Sequence, residues 1–367
     1  MSESWAPVKR LLEDGFVKGV YPGAAAGILV ESRPPKIFVA GTTARGANGA
    51  SVTAETVFDL ASLTKVLCTT SVAARLLDRG EIELDAIVAE TLSDLPWHPE
   101  FQEVTVRDLL AHQAGFAAWV DFSKKIDLQK APPGSEAARS FILESIASSA
   151  PEYSLRGATL YSDLGFILLG EWLERTTGTV LWSLFEREVK KPLGTQGFTA
   201  SPLRDRVSLS ALAATEDIPW RNGVVQGNVH DNNAYLLGGF AGHAGLFGTV
   251  RDCMGVGATW RDACLADKPY LSKKTARLFS SRQITPKGDS RALGWDIPAE
   301  KGSSAGTRVS DQAIGHLGYT GTSIWIDIER RAVVALLTNR IHPDAKNEKI
   351  KLFRPQFHDL IWETLDR

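Results

Sequence analysis

The stretch "FDLASLTKVLCTT", residues 58–70, places a serine and a lysine three positions apart at the start of an apolar segment. On one helix face, the Cβ atoms of Ser62 and Lys65 lie roughly 5 to 6 Å apart, so the amine can reach the hydroxyl. A lysine whose pKa is lowered by desolvation can take the serine proton and create a nucleophile. The same residues also fit a plain helix, with Ser62 as its cap and Lys65 in solvent. Since Ser-x-x-Lys arises about once or twice by chance in a chain of this length, other motifs must decide.

The composition of the 367-residue chain is that of a globular protein. Hydrophobic residues make up 44% and charged residues 23%, which is enough for a sizeable core. The length favours two closely packed domains or one large α/β unit. The formal charge of -2 at pH 7 gives no reason to expect nucleic acid or an anionic membrane as a partner.

The cysteines and the N-terminal residues bear on the compartment. Cys68, Cys253 and Cys264 form no C-x-x-C pair and are odd in number, which argues against a zinc ribbon and a disulfide framework. The first residues lack a basic segment followed by an apolar one, and no window reaches the ~18 apolar residues of a membrane span. These features predict a cytoplasmic protein, unless a leader has been trimmed.

Periodicity places strands at both ends of the chain and helices between them. Helical segments are predicted at 5–19, from Ser62 through Leu77 to an end at Gly80, at 104–116, 134–150 and 164–178, and at the C-terminus, 344–365. Two runs joined by "RPP", 23–32 and 36–44, predict a hairpin, and 322–340 predicts another. Turn residues separate these segments.

The order of these segments predicts an α/β (α+β) fold. Its antiparallel sheet is expected to take strands from both chain ends and to be flanked by the N- and C-terminal helices. Residues 1–61 and 285–367 would form the sheet domain, and residues 62–284 an inserted, mostly helical domain. The cleft between the two domains is the expected active site.

Two later stretches make the pattern around Ser62 specific. "LYSDLGF" (160–166) contains Y-x-D before a predicted helix, and "GHLGYTGTSIW" (315–325) contains H-x-G at the start of a predicted strand. In this order the three motifs resemble those of the penicillin-recognising serine hydrolases, which include class C β-lactamases, DD-peptidases, family VIII carboxylesterases and related amidases. The segments "VTVRDLLAHQAGF", "AGHAGLFGT" and "GYTGTSIWIDIERRAVVALLTNR" also resemble family segments, so the similarity covers most of the chain.

The resemblance implies a catalytic role for three side chains. Ser62 would be the acylated nucleophile, Lys65 the base that activates it, and Tyr161 the residue that relays protons between serine, leaving group and water. The backbone N–H groups of Ser62 and Tyr319 would form the oxyanion hole, which stabilises the charge of the tetrahedral intermediate.

Substrate-binding residues follow from the same resemblance, with two departures from the family pattern. His316 takes the place of the family's lysine or histidine, and Gly318 completes that motif. Leu317 stands where β-lactamases and DD-peptidases usually carry a hydroxyl, so efficient β-lactam hydrolysis is not expected. Asp163 replaces the usual asparagine and would either pair with Lys65, raising its pKa, or bind a cationic or donor-rich substrate group.

The segment "GNVHDNNAYLLGGFAGHAGLFG", residues 227–248, allows three interpretations. The resemblance implies a glycine-rich wall of the cleft, with His243 near the substrate. A plain loop and a metal site formed by His230, Asp231 and His243 are the alternatives. We expect the wall, with no metal and no cofactor.

The predicted function is a serine hydrolase that cleaves an amide or ester through a Ser62 acyl-enzyme. Similar V-H-D-x-N-A and A-G-H-A-G-L-F runs occur in a branch with low-activity penicillin-binding proteins and muropeptide amidases. D-alanyl or muramyl peptide fragments are therefore the leading substrates, and small esters come second. The alternative is a slow acyl-binding sensor or a non-catalytic scaffold. The expected partner is a small molecule or peptide, not nucleic acid or membrane.

Overall fold

The computed structural model describes residues 5–46, 49–284 and 290–367. The helices are α1 (Ala6–Val17), α2 (Ser71–Asp78), α3 (Val88–Thr91), α4 (Val106–Leu110), α5 (Glu136–Ala147), α6 (Asp163–Thr177), α7 (Leu181–Phe185), α8 (Lys191–Leu193), α9 (Asn232–Leu236), α10 (Val250–Leu265), α11 (Lys273–Ser280) and α12 (Ile350–Leu365). The strands are β1 (Gly23–Val30), β2 (Lys36–Gly41), β3 (Phe58–Asp59), β4 (Asp217–Ile218), β5 (Gly223–Val224), β6 (Phe247–Gly248), β7 (Gln283–Ile284), β8 (Ser290–Arg291), β9 (Ile314–Leu317), β10 (Ser323–Asp327) and β11 (Ala332–Thr338). Shorter 3₁₀ and π-helical turns connect some of them, including a π-helical turn at Lys65–Thr70 that runs into α2.

A five-stranded antiparallel sheet forms the centre of the molecule, in the order β2-β1-β11-β10-β9. The predicted hairpin β1–β2 and the shared sheet from both chain ends are confirmed, because Ala24 pairs with Thr338. One face packs against α1 and α12 around Leu12, Trp325 and Phe357. Helix α10 covers the other face.

The middle of the chain packs its helices around a second, larger core. Helix α6 begins after Ser162, whose Oγ accepts a hydrogen bond from Gly165 N at 3.2 Å, and ends at Gly178 in the left-handed conformation. Ser, Asp and Gly are typical of these positions. The assignment of 62–284 to a separate domain stays a prediction, and α10 within that range packs on the sheet.

The helix predicted from Ser62 differs from the observed one at its start. Helical structure begins at Leu63, so Ser62 lies in the preceding turn. The π-helical turn that follows is held by contacts that a local pattern does not reveal: Ser71 Oγ donates to Val66 O at 2.7 Å, and Thr69 Oγ1 donates to the distant Gly242 O at 2.7 Å. Such π turns are often found at functional sites.

The three cysteines are free and buried. Within residues 5–46, 49–284 and 290–367, none of the helices combines the length and apolar character needed to cross a bilayer.

Candidate active site

Ser62 lies in a tight turn between β3 and the helical segment. Leu60 N donates to Leu246 O at 2.9 Å, which ties the turn to the chain beside it. Ala61 has a φ of +47°, a conformation that costs a non-glycine residue about 1–3 kcal/mol and persists where the surroundings enforce it. The buried Asp59 carboxylate holds Ala61 in this conformation, because its Oδ1 accepts a hydrogen bond from Ala61 N at 2.8 Å. The turn therefore presents Ser62 outside the helix.

The Lys65 ammonium is fully buried and has three acceptors. Its Nζ lies 3.1 Å from Ser62 Oγ, 2.6 Å from Asp163 Oδ1 and 3.0 Å from His243 O. These acceptors match the three N–H groups of an ammonium. Lys65 is thus not solvated, and the π-helical turn at Lys65–Thr70 has no side-chain hydrogen bond at its N-cap, which is Thr64. Of the two roles considered for Asp163, the pairing with Lys65 is the one present here.

Tyr161 completes the cluster from the residue pair that precedes α6. Its hydroxyl interacts with the side chains of both Lys65 and Ser62, and Lys65 Nζ lies 4.9 Å from the centre of its ring. The three polar groups are therefore contiguous. Such an arrangement lets a proton move between a hydroxyl, an amine and a phenol without passing through solvent.

The protonation states of this cluster follow from burial and from Asp163. Burial alone would lower the pKa of Lys65, but the charge of Asp163 and the hydrogen bonds that Lys65 makes outweigh it, so this pKa is raised. Burial also raises the pKa of Tyr161, although the Lys65 charge opposes the shift. At neutral pH the resting cluster is therefore an ammonium beside a neutral phenol.

The backbone amides of Ser62 and Tyr319 are free to bind an oxyanion. The N–H groups of Ser62 and Tyr319 have no hydrogen-bond partner among the described residues. Their two turns are joined, because Thr320 Oγ1 donates to Asp59 O at 2.8 Å and Thr322 Oγ1 to Leu60 O at 3.1 Å. The two N–H groups therefore belong to adjoining turns, as an oxyanion hole requires.

Gly318 allows this close approach of the two turns. A Cβ at this position would lie 2.0 Å from Thr322 Oγ1 and 2.6 Å from Leu60 O. Gly318 N also donates to Thr322 O at 2.8 Å. The role of Gly318 visible here is therefore to bring the strand end against the turn that carries Ser62.

His316 and Leu317 on β9 point to opposite faces of the sheet, as neighbouring strand residues do. The buried His316 ring lies 5.7 Å from the Tyr161 ring. Its Nδ1 is 2.8 Å from Leu317 O, while Nε2 has no partner in the described part of the chain. Leu317 lies opposite Ser323 in the pairing with β10. His316 therefore faces the cluster, and Leu317 turns away from it.

The glycine-rich segment forms one wall beside Lys65. His243 supplies the carbonyl that accepts from Lys65, and its Nε2 lies 2.8 Å from Asp231 Oδ1. Asp231 also caps α9 through Ala234 N at 2.7 Å. His243 thus reaches the cluster through its backbone, while its imidazole holds the segment in place.

His230 of the same segment lies apart from His243. Its N donates to Asp59 Oδ2 at 2.7 Å, and its Nε2 lies 2.8 Å from Glu216 Oε2. In the described ranges, no group of three or more histidine, cysteine, aspartate or glutamate residues is placed to hold a metal ion. His230 and His243 thus each interact with a different carboxylate, Glu216 and Asp231 respectively.

Gly242 brings this wall against α6. A Cβ at Gly242 would lie 2.1 Å from Phe166 O and 3.0 Å from Gly170 Cα, both backbone atoms of that helix. Because backbone atoms cannot move aside as a flexible side chain can, any larger residue must push the wall away from α6.

Gly242→Ala is therefore expected to lower the free energy of unfolding by about 1–3 kcal/mol. Gly255→Ala in α10 is the matched control, because its Cβ would meet only a methyl group of Thr195 at 3.1 Å and alanine favours a helix by about 1 kcal/mol. Urea unfolding of both variants measures the difference. Equal stability of the two variants would contradict the proposed contact.

Two residues near Tyr161 were not predicted from the sequence. The buried His112 ring lies 4.8 Å from the Tyr161 ring, and its Nδ1 accepts from Ser162 N at 3.0 Å. Arg291 Cζ lies 5.1 Å from the Tyr161 ring centre, and Arg291 is ion-paired with Asp296. His112 belongs to a quoted family-like segment, whereas no motif surrounds Arg291.

Comparison with known proteins shows the family to which the chain belongs. The Beta-lactamase family matches residues 8–354. A putative D-alanyl-D-alanine carboxypeptidase of Salmonella gallinarum is 30% identical over 322 residues, which cover 81% of this chain and 72% of that protein. An N-acetylmuramyl-L-alanine amidase of Bacillus subtilis is 30% identical over 366 residues, covering 91% of this chain and 80% of the relative.

The fold is also that of solved family structures. A class C β-lactamase from Rhodobacter sphaeroides superimposes with a TM-score of 0.72 at 18% identity, covering 97% of this chain and all (100%) of that one. The resemblance inferred from the sequence is therefore confirmed for both family and fold, and the relatives indicate an enzyme that hydrolyses its substrate. The chain belongs to the β-lactamase family of hydrolases.

Proposed function

We propose that this protein hydrolyses an amide or ester through an acyl-enzyme on Ser62. The observation that carries the proposal is the 3.1 Å contact between Ser62 Oγ and Lys65 Nζ, beside two free backbone amides. A hydroxyl next to an amine and an oxyanion hole is the arrangement that nucleophilic acyl transfer needs.

In the proposed reaction, Ser62 Oγ bonds to the substrate carbonyl carbon as its proton moves to neutral Lys65. The carbonyl oxygen takes the negative charge and is stabilised by the N–H groups of Ser62 and Tyr319. When the carbon–nitrogen or carbon–oxygen bond breaks, Tyr161 gives a proton to the leaving group and regains one from Lys65. Water then attacks the ester in the same way and releases Ser62.

D-alanyl or muramyl peptide fragments are the substrates that we propose first, with small esters second. The two relatives at 30% identity are named as a carboxypeptidase and an amidase that act on such groups. The side chain of Leu317 is a hydrocarbon and lacks the hydroxyl that would hold a β-lactam carboxylate, which supports weak rather than efficient β-lactam hydrolysis. A cytoplasmic location stays a prediction.

A fluorophosphonate is expected to label Ser62 covalently, because an activated hydroxyl beside an oxyanion hole attacks such electrophiles. Intact mass and peptide mapping of residues 58–70 measure the adduct. Ser62→Ala, with its fold checked by circular dichroism, is the control. Equal labelling of Ser62→Ala, or an adduct on another residue, would refute the proposal.

A slow acyl-binding sensor is the second candidate, and the raised pKa of Lys65 favours it. A resting ammonium cannot accept the serine proton, so turnover at neutral pH depends on a small neutral fraction. Rapid mixing with a nitrophenyl ester separates the two functions. A burst followed by steady release indicates a hydrolase, whereas a burst without further release indicates a sensor.

A further inference from the structure

The turn that joins β9 to β10, residues 318–322, carries the free backbone N–H of Tyr319. Gly318 N donates to Thr322 O at 2.8 Å, and Gly321 N donates to Gly318 O at 3.0 Å. These bonds close the turn and give the buried carbonyls of Gly318 and Thr322 one backbone donor each. One partner is what a buried carbonyl needs. A further donor is therefore not required to satisfy either carbonyl.

The side chain of Arg354, on α12, nevertheless donates to the same two carbonyls. Its Nη2 lies 2.9 Å from Gly318 O and 2.8 Å from Thr322 O. The residue is buried, and among the described residues it has no carboxylate partner and its Nε has no hydrogen-bond acceptor. Burial and the charge of Arg340 lower the pKa of Arg354 to about 9, so the guanidinium is charged at neutral pH.

A buried guanidinium without a counter-ion is costly for the fold. Removing a charge from water is unfavourable unless an opposite charge and hydrogen bonds compensate for it. Arg354 has only the two carbonyls as partners, and both already have a backbone donor. Groups that break a folding rule without a gain in stability are expected mainly at functional sites. The position of Arg354 beneath this turn is therefore better explained by function than by stability.

The side chain of Tyr319 cannot hold its own N–H in place, because the residue is 55% exposed. The peptide groups before and after it are held instead by two arginines. Arg354 bonds to Gly318 O, and Arg340 Nε donates to Tyr319 O at 3.0 Å. Both arginines are buried. The direction of the Tyr319 N–H is therefore fixed from below the turn.

Building on the function proposed above, we propose that Arg354 is a positioning residue that makes the Tyr319 N–H a stronger oxyanion donor. Gly318 O and Tyr319 N belong to one planar peptide group. A guanidinium on the oxygen fixes this plane and draws electron density towards the oxygen, so the N–H at the other end is polarised. Its positive charge also acts on the oxyanion through a buried region, where water screens it little.

Arg354→Met removes the charge and both hydrogen bonds but keeps much of the side-chain length. Because the two carbonyls keep their backbone donors, we expect this variant to unfold at the wild-type urea concentration or above it. Acylation of Ser62 by nitrophenyl acetate should slow by about 10- to 100-fold with little change in KM, which is less than the loss of a whole oxyanion-hole donor. Arg354→Lys keeps a charge and should recover part of the rate.

Arg261→Met is the matched control for this substitution. Arg261 is also buried, and its Nη1 donates to a backbone carbonyl, Arg331 O, at 3.3 Å. That carbonyl lies between β10 and β11, at the end of β10 away from the turn at 318–322. Arg261→Met should therefore acylate Ser62 at the wild-type rate.

A trifluoromethyl ketone provides a readout of charge that does not depend on turnover. Ser62 Oγ bonds to the carbonyl carbon of ¹³C-labelled trifluoroacetophenone, the π electron pair moves to the oxygen, and the serine proton goes to neutral Lys65. No group leaves. Carbon NMR across pH gives the pKa of the hemiketal, which compares the neutral and anionic forms of one adduct. Arg354→Met should raise this pKa by about 1 to 2 units, the effect of losing one nearby positive charge.

The outcomes separate this proposal from the hydrolase on which it rests. A wild-type hemiketal pKa in folded Arg354→Met would overturn the role of Arg354, whether or not acylation slows, and would leave the hydrolase intact. If Arg354→Met does not fold, Arg354→Gln, which keeps a donor without the charge, must show the same rise in pKa or the proposal fails. Absence of a Ser62-dependent adduct in the wild-type protein, with Ser62→Ala as the reference, would refute both proposals.

Discussion

Replacing Lys65 with alanine is expected to slow acylation of Ser62 by about 10²- to 10⁴-fold, the usual contribution of a general base. Lys65 Nζ lies 3.1 Å from Ser62 Oγ and matters mainly while the serine proton leaves. Binding of substrate should therefore change far less than the acylation rate. Lys65→Arg should be almost as damaging, because a guanidinium keeps its proton at any working pH. Time-resolved intact mass with a nitrophenyl ester measures the acylation rate.

The controls must separate lost chemistry from lost stability, since Lys65 is buried and balances Asp163. In Lys65→Ala alone, the Asp163 carboxylate loses its partner. Adding Asp163→Asn removes that unpaired charge, so the double variant should fold stably while its acylation rate stays low. Lys190→Ala is a matched control: this lysine is largely buried, pairs with Glu186 and lies over Trp182. It should acylate at the wild-type rate. If Lys65→Arg kept more than about a tenth of that rate, lysine would not be the base.

Much of the fold could be predicted because its elements depend on local patterns. The hairpin β1–β2 and the helix α6, with Gly178 at its end, follow from periodicity and from turn and cap residues. The start of the helix after Ser62 was predicted one residue early. Its true start depends on Ala61, whose positive φ is enforced by the side chain of Asp59. Alanine itself gives no sign of such a turn.

The site could be predicted only where its residues are close in sequence or carry a family motif. Ser62 and Lys65 are within one helical turn, so their spacing already shows that they can meet. The choice between the two roles of Asp163 required the fold, because 98 positions separate it from Lys65. Arg291 was not predicted at all. Its place beside Tyr161 depends on an ion pair with Asp296, and Asp296 is in turn paired with Gly315 of β9. The sequence contains no pattern that indicates this pairing.

The Asp163 pair gives the resting site a particular pH dependence. Asp163 helps to raise the pKa of Lys65 against the lowering effect of burial. If neutral Lys65 is the base, acylation must rise with pH until this amine is deprotonated. The arrangement therefore predicts a slow enzyme at neutral pH and a faster one in alkali, which agrees with neither a dead scaffold nor an efficient β-lactamase.

Asp163→Asn is expected to move this rising limb to lower pH by about 1 to 3 units, the effect of removing one close opposite charge. At pH values below the Lys65 pKa in both the wild-type protein and Asp163→Asn, the variant has a fraction of neutral Lys65 that is roughly 10- to 1000-fold larger. Acylation should be faster by the same factor. Pre-steady-state acylation by a neutral nitrophenyl ester, measured across pH, gives both limbs. Asp163→Glu keeps the charge and should leave the limb close to its wild-type position. A raised KM with an unmoved limb would instead mean that Asp163 binds the substrate.

The same shift would follow if Tyr161 were the titrating group, because the Asp163 charge raises the pKa of Tyr161 as well. Tyr161→Phe separates the two assignments. This change removes the hydroxyl group but keeps the ring. The rise of acylation with pH should therefore persist, at a lower rate, if Lys65 is the base, and should vanish if Tyr161 is the base. In the double variant with Asp163→Asn, a limb set by Lys65 should again move to lower pH. If the rise of acylation with pH is lost in Tyr161→Phe and kept in Lys65→Arg, Tyr161 is the group that accepts the proton. Lys65 would then serve only to lower the pKa of the phenol through its positive charge.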